Sequence, residues 1–242
     1  MRSSALTDVG IKRNMNQDFV YASDQKVGCL ENLYIVADGM GGHNAGDYAS
    51  RCAVETIVDY IGSADEKPPV ALLLEAVQAA NEMVVARSVQ DKKLEGMGTT
   101  LVAATVQKGC LYVANVGDSR LYILDEDEIV QITRDHSLVE EMVRSGQLAR
   151  EKARTHPEKN VITSAVGMKT MPKIDCFDAA LYPGDIFLIC SDGLTNMLED
   201  EEIRMIVSGQ RDIIEKAQKL VVAANNNGGK DNIAVVLVKP EY

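Results

Sequence analysis

Apolar positions along this chain change their spacing several times, and each change marks a different kind of element. Leu33-Tyr34-Ile35-Val36-Ala37 is a continuous apolar run that stops on Asp38 and opens into Gly39, Gly41 and Gly42 before His43. A short run bounded in this way predicts a buried strand that ends at Asp38 and delivers its carboxylate to a loop. Downstream, Ala45, Ala49, Cys52, Ala53, Ile57 and Ile61 recur at helical spacing until Gly62. After a polar, proline-bearing break over 65–69, Leu73, Leu74, Val77, Ala80, Val84 and Val85 repeat that spacing. Two amphipathic helices with core-facing stripes follow from this.

From Gly98 the period shortens. Thr99–Val106, Cys110–Val116, Arg120–Leu124 and Glu128–Thr133 read as consecutive strands, and their tight connections predict an antiparallel meander. Asp118 lies in one of those turns, where an ordinary turn aspartate would also be at home. Ser137–Ser145 is helical up to Gly146, and the polar 147–159 stretch with Pro157 reads as part of a surface flap spanning about 137–166. Asp175–Leu181, Asp185–Cys190 and Ile233–Val238 return to strand, with helices over Glu201–Val207 and Asp212–Ala224. Near the start, Phe19-Val20-Tyr21 opens a strand directly after Asp18.

At 242 residues and 46% hydrophobic content the chain can bury a full core, and a single domain over 1–242 is expected. A net charge of −11 argues against a nucleic-acid or anionic-membrane partner, since phosphate backbones select for basic patches. The five cysteines form no C-x-x-C pair and are odd in number, which fits reduced thiols in the cytoplasm. No stretch is expected to reach membrane-spanning length, and Asp8 stands where a signal peptide would need apolar residues. A soluble, cytoplasmic monomer is the expectation.

The candidate chemistry lies in the carboxylates. Ile186–Cys190 runs into Ser191-Asp192-Gly193 as the first apolar run meets Asp38-Gly39, and Asp231-Asn232 immediately precedes the last strand. Three carboxylates at three strand ends repel one another if they meet, so a cation is expected to neutralise them. Oxygen donors favour magnesium, manganese or calcium over zinc. Asp18 adds a further carboxylate beside a strand, with Arg13 five positions before it. A cysteine-dependent phosphatase is excluded because no cysteine has an arginine six positions on; Asn196 follows Cys190 at that spacing. P-loop, dinucleotide-binding and EF-hand signatures fail as well.

Taken in order, Asp8-Val9-Gly10-x-x-Arg13-x-x-Asn16-Gln17-Asp18, Ala37-Asp38-Gly39-Met40-Gly41-Gly42-His43, Gly98-Thr99-Thr100, Asn115-Val116-Gly117-Asp118-Ser119-Arg120, Ser191-Asp192-Gly193-Leu194 and Lys230-Asp231-Asn232 resemble the motifs of metal-dependent, type 2C serine/threonine protein phosphatases, in particular the compact bacterial branch. Six ordered motifs across nearly the whole chain are far more specific than any one alone. The resemblance implies an α+β four-layer sandwich, two antiparallel β-sheets flanked by α-helix pairs. It implies two or three divalent cations, manganese or magnesium. Asp38 would bridge two of them, the Gly39 carbonyl would serve one, and Asp192 with Asp231 would hold the other. Asp18 would orient water from behind, Asp118 would help bind a labile third ion, Arg13 would clamp the substrate phosphate and His43 would be the general acid. The implied activity is hydrolysis of phosphoserine and phosphothreonine in proteins by direct attack of a metal-activated water, opposing a bacterial serine/threonine kinase.

Two positions depart from the family pattern. Gln17 stands where glutamate is common, and Ser164 in the flap stands where arginine is common. The competing expectations are a phosphoprotein-binding module without turnover and a structural cation-binding protein. The full carboxylate set opposes the first, and the second leaves Arg13 and His43 without a purpose.

Overall fold

The computed structural model describes residues 1–42 and 45–241; His43, Asn44 and Tyr242 lie outside the described residues. In chain order its elements are β1 (Arg2–Asp8), β2 (Asp18–Ser23), β3 (Leu33–Met40), α1 (Ala45–Ser63), α2 (Pro69–Gln90), β4 (Gly98–Thr99), β5 (Leu101–Gln107), β6 (Cys110–Val116), β7 (Arg120–Leu124), β8 (Ile129–Gln131), α3 (Leu138–Arg144), α4 (Arg150–Ala153), β9 (Asp175–Ala180), β10 (Ile186–Cys190), α5 (Asp192–Thr195), α6 (Asp200–Ser208), α7 (Ile213–Asn226) and β11 (Ile233–Lys239).

The strands form two antiparallel sheets. One has the order β1-β11-β10-β7-β8, the other β2-β3-β5-β6-β9, with β4 added beside β3. Tyr34, Val36, Val102, Leu121, Phe187 and Val236 interlock between the sheets, where the Tyr34 and Phe187 rings meet edge to face at 5.5 Å. Helices α1 and α2 cover the outer face of the second sheet, and α6 and α7 cover the first. The expected sandwich of two sheets flanked by helix pairs is therefore the observed architecture, and both central strands are buried on both faces. That explains why β10 and β11 read as continuous apolar runs rather than alternating ones.

Several expectations are corrected. The strands from β5 to β8 are not one meander, because β5 and β6 pair in one sheet and β7 and β8 in the other. The Gly117-Asp118-Ser119 turn is thus the crossover between sheets; a short connection allows an antiparallel pair but does not require one. Strand β3 does not end at Asp38; it continues through Gly39 and Met40, which pair with β4. Helix α1 runs through Gly62 to Ser63, where the glycine faces open space. Strand β1 went unforeseen because Arg2-Ser3-Ser4-Ala5 has no strong apolar alternation; it sits at a sheet edge, in register with β11 from Arg2↔Lys239 to Asp8↔Ile233. Finally, α2 has 22 residues and a mean hydropathy of 1.3 over its most apolar window, so by length and composition alone it could cross a membrane. Here its face bearing Leu72, Leu73, Ala76, Val77, Ala80 and Val84 packs into the core.

Candidate metal and phosphate site

The ends of both sheets open on a cavity of about 300 Å³ lined by Arg13, Gln17, Asp38, Asp118, Asp192 and Asp231, with Gly39 at its wall. Each carboxylate arrives from a different element. Asp38 and Asp18 face one another in the β2–β3 ladder. The Asp38 carbonyl accepts from the Thr99 hydroxyl at 2.9 Å and the Thr100 N–H at 2.9 Å, while the Asp38 N–H donates to the Thr100 hydroxyl at 3.1 Å. The threonine pair thus fixes the backbone beneath the central carboxylate. Gly39 is needed for close approach: a Cβ there would lie 2.0 Å from the Gly46 carbonyl oxygen.

On the other sheet, Asp192 begins α5, and the Asn196 side chain donates to its Oδ2 at 2.9 Å. Lys159 in turn donates to Asn196, linking the segment after α4 to Asp192. Asp231 accepts from the Asn232 N–H at 2.9 Å and from Arg13 Nη2 at 2.7 Å. Buried Asn232 stitches this corner together. Its Nδ2 donates to the Val9 and Met15 carbonyls, both at 2.9 Å, and its Oδ1 accepts from the Gln17 N–H at 2.9 Å. Glycine is required at 10, where φ is +78° and a Cβ would meet the Asp231 carbonyl oxygen at 2.2 Å.

The electrostatics report crowding of like charge. Burial pushes the Asp18 carboxyl up to about 7, with Asp192 and Asp231 adding to it against the Ser191 hydrogen bond. Burial and then Asp192 and Asp135 push Asp118 up to about 8. Asp192 rises to about 6 through burial and Asp231, opposed by Lys159, Arg120 and Arg13. Asp38, flanked by all the others, is raised well above the ordinary carboxylate range, first by burial and then by Asp18. Asp18 Oδ2 accepts from the Ser191 hydroxyl at 2.7 Å, but the buried Oδ1 has no hydrogen-bond partner. Among the described residues, no three His, Cys, Asp or Glu side chains close tightly enough to cage an ion by themselves. An open, all-oxygen donor set with an orphaned buried carboxylate oxygen fits magnesium or manganese, which take few protein carboxylates and keep several waters.

A family model described as protein phosphatase 2C matches residues 11–237. The chain belongs to the protein phosphatase 2C family. It is 40% identical over 247 residues to a Listeria innocua protein named serine/threonine phosphatase stp, covering 99% of this chain and 96% of that one. The structure of the S. agalactiae serine/threonine phosphatase superposes with a TM-score of 0.92 at 37% identity, covering 99% of both chains. A structure of the catalytic domain of the phosphatase PstP in complex with two manganese ions matches with a TM-score of 0.84 at 34% identity, over 98% of this chain and 96% of that one.

Within this phosphatase 2C fold, Asp38, Asp118, Asp192, Asp231 and Arg13 share one cavity, with Asp18 buried behind Asp38. His43 lies outside the described residues. Gln17 lines the cavity, and its carbonyl accepts from the Gly39 N–H at 3.1 Å and the Ser50 hydroxyl at 2.6 Å. Ser164 is buried and donates to the Lys173 carbonyl at 3.2 Å. Sequence reasoning missed Ser191, Asn196 and Asn232 as holders of the carboxylates. The signal was there for Asn232 and Ser191, each adjacent to an aspartate at a strand end, but a polar neighbour of a carboxylate is common in any loop.

Proposed function

We propose that this chain is a metal-dependent phosphatase that removes phosphate from phosphoserine and phosphothreonine side chains of proteins by direct attack of water. The convergence of Asp38, Asp118, Asp192, Asp231 and Arg13 in one cavity carries the proposal; membership of the phosphatase 2C family supports it. Asp38, the Gly39 carbonyl, Asp192 and Asp231 would hold two manganese or magnesium ions, and Asp118 would serve a third. Bound there, such ions bring the pKa of water toward neutrality and offset charge on the phosphoryl oxygens.

The chain's own residues do the rest. Arg13 presents a guanidinium that is exposed and bonded to Asp231. Swinging it from that carboxylate to a phosphate exchanges one anionic partner for another, so little is lost in making the contact. Asp18, held through Oδ2 by Ser191, keeps a buried, unpartnered Oδ1 behind Asp38, where it would orient water from behind the carboxylates that line the cavity. His43 is assigned the proton for the departing serine or threonine oxygen on its place in the sequence, directly after Gly41-Gly42. The segment 137–166 is a flap on a single catalytic domain, beside which a phosphoprotein docks as substrate. A serine/threonine kinase is the chemical counterpart of this activity; five free cysteines suit the reducing cytoplasm, and a monomer is the proposed state.

Hydrolysis of p-nitrophenyl phosphate and of a phosphothreonine peptide, each with manganese and with a chelator, tests the proposal. Turnover with manganese that the chelator abolishes is expected. Tight phosphopeptide binding with no turnover under either condition would instead establish a binding module.

A further inference from the structure

His136 belongs to no motif that carries the family resemblance, yet it grips the crossover from which Asp118 projects. It is 3% exposed. Its backbone N–H donates to the Gly117 carbonyl at 2.9 Å, and its Nδ1 accepts from the Gly117 N–H at 3.1 Å. Because Nδ1 accepts, the ring proton sits on Nε2, which donates to Asp175 Oδ2 at 3.0 Å. Lys173 braces that carboxylate at 2.8 Å. The His136 carbonyl accepts from the Thr163 N–H at 2.8 Å, so the same residue also anchors the far end of the 137–166 segment.

The crossover needs such a grip. Gly117 lies between β6 and β7, which belong to different sheets, so neither ladder satisfies its peptide groups. It adopts a φ of +102° and packs so closely that a Cβ would lie 2.6 Å from Thr100 Cβ. His136 satisfies both its N–H and its carbonyl, and the next residue in the chain is Asp118.

We propose that His136 is a positioning residue for Asp118: braced by Asp175, its ring fixes the backbone that carries the Asp118 carboxylate into the cavity and so sets the weakest cation-binding step there. This rests on the proposal above that Asp118 serves an additional ion. A partner bonded directly to a ligand is worth about 10- to 100-fold in metal affinity, and His136, which acts through the adjoining peptide, is expected at the low end of that range.

The test is calorimetric titration of metal-stripped protein with manganese, compared across variants. His136→Ala should weaken the weakest step about tenfold, while the tighter steps stay within about twofold. His136→Asn, whose side-chain oxygen can still accept from the Gly117 N–H, should recover most of the loss. Adding His136→Ala to Asp118→Asn should cost nothing more. If Asp118→Asn weakens the last step and His136→Ala does not, the positioning role is wrong and the assignment of Asp118 stands. If Asp118→Asn has no effect, both fall. Should His136→Ala fail to fold, Asp175→Ala keeps the ring and decides: selective weakening of the last step supports the role, and equal loss at every step, or none, overturns it.

Discussion

Asp38 and Asp231 face one cavity from different sheets, yet they are held in opposite ways. Asp38 lies inside a strand, its backbone pinned by Thr99 and Thr100 and its register set by Asp18 across the ladder. Asp231 lies in a loop, one-third exposed, tied to an arginine whose side chain is 51% exposed. The strand-built half fixes the backbone beneath its carboxylate, and burial makes that charge costly. The loop-built half gives a carboxylate with an exchangeable partner, and it depends on Asn232 for its shape. Rigidity is invested where charge must be focused, and adaptability where an anion has to enter.

The largest expected break in this contrast is Asp38→Asn, which removes the central charge and keeps the side-chain size. Turnover should fall about 10³-fold, about 4 kcal/mol of lost transition-state stabilisation. Without metal the variant should melt no lower than the parent, since like-charge crowding is relieved. Near-normal turnover in a folded variant would remove Asp38 from the metal assignment.

Metal should matter nearly as much to stability. Saturation at 100 times the dissociation constant is worth about 2.7 kcal/mol, read as a rise in melting temperature that a chelator reverses. The effect has a pH sign. Folded carboxyls raised to about 6, 7 and 8 at Asp192, Asp18 and Asp118 hold protons that the unfolded chain has already released. Metal-free stability should therefore fall as pH rises from about 4 to about 8. With manganese bound the ligands are ionised and that fall should flatten. Urea unfolding at pH 5 and pH 8, with and without chelator, checks it; parallel slopes would separate these carboxylates from the metal.

In the loop-built half, Asn232→Ala leaves the Val9 and Met15 carbonyls and the Gln17 N–H without their partner. A stability loss of about 2 kcal/mol is expected in urea. The phosphate KM should rise more than kcat falls, because the Arg13 loop loosens while Asp38 stays fixed. Smallest of all should be Arg13→Lys, which keeps charge but loses the planar fork, at about 1 kcal/mol in kcat/KM. An equal loss for Arg13→Lys and Arg13→Ala would mean that the fork geometry, rather than the charge, carries the contact.

Most of the fold was legible because β10 is buried and apolar throughout and β3, β5, β6 and β11 are so over most of their length, while α1 carries a clear helical stripe. The aspartates were legible as well, since a carboxylate at the end of an apolar run is out of place unless something neutralises it. Strand β1 escaped because an edge strand in which only Ser4 is fully buried needs no apolar alternation. The sheet switch at Gly117 escaped because a three-residue link looks the same whether it joins partners or neighbours in different layers. Asn232, Ser191 and His136 escaped because their roles depend on hydrogen bonds to residues distant in sequence, as in Ser191 to Asp18 across 173 positions.

That distance also governs when the site can exist during synthesis. Strand β1 has β11 as its ladder partner, and Arg13 meets Asp231 across 218 positions. Chains emerge from the ribosome at about 5–20 residues per second, and pairings of this span must wait for the last strand. A nascent chain can complete the β2–β3 ladder and the α1–α2 pair long before Asp192 and Asp231 arrive. Catalytic competence is thus acquired in a final closure of the two ends, so a chain cut short before β11 carries every carboxylate but lacks the strand that joins β1 to β10 and brings them together.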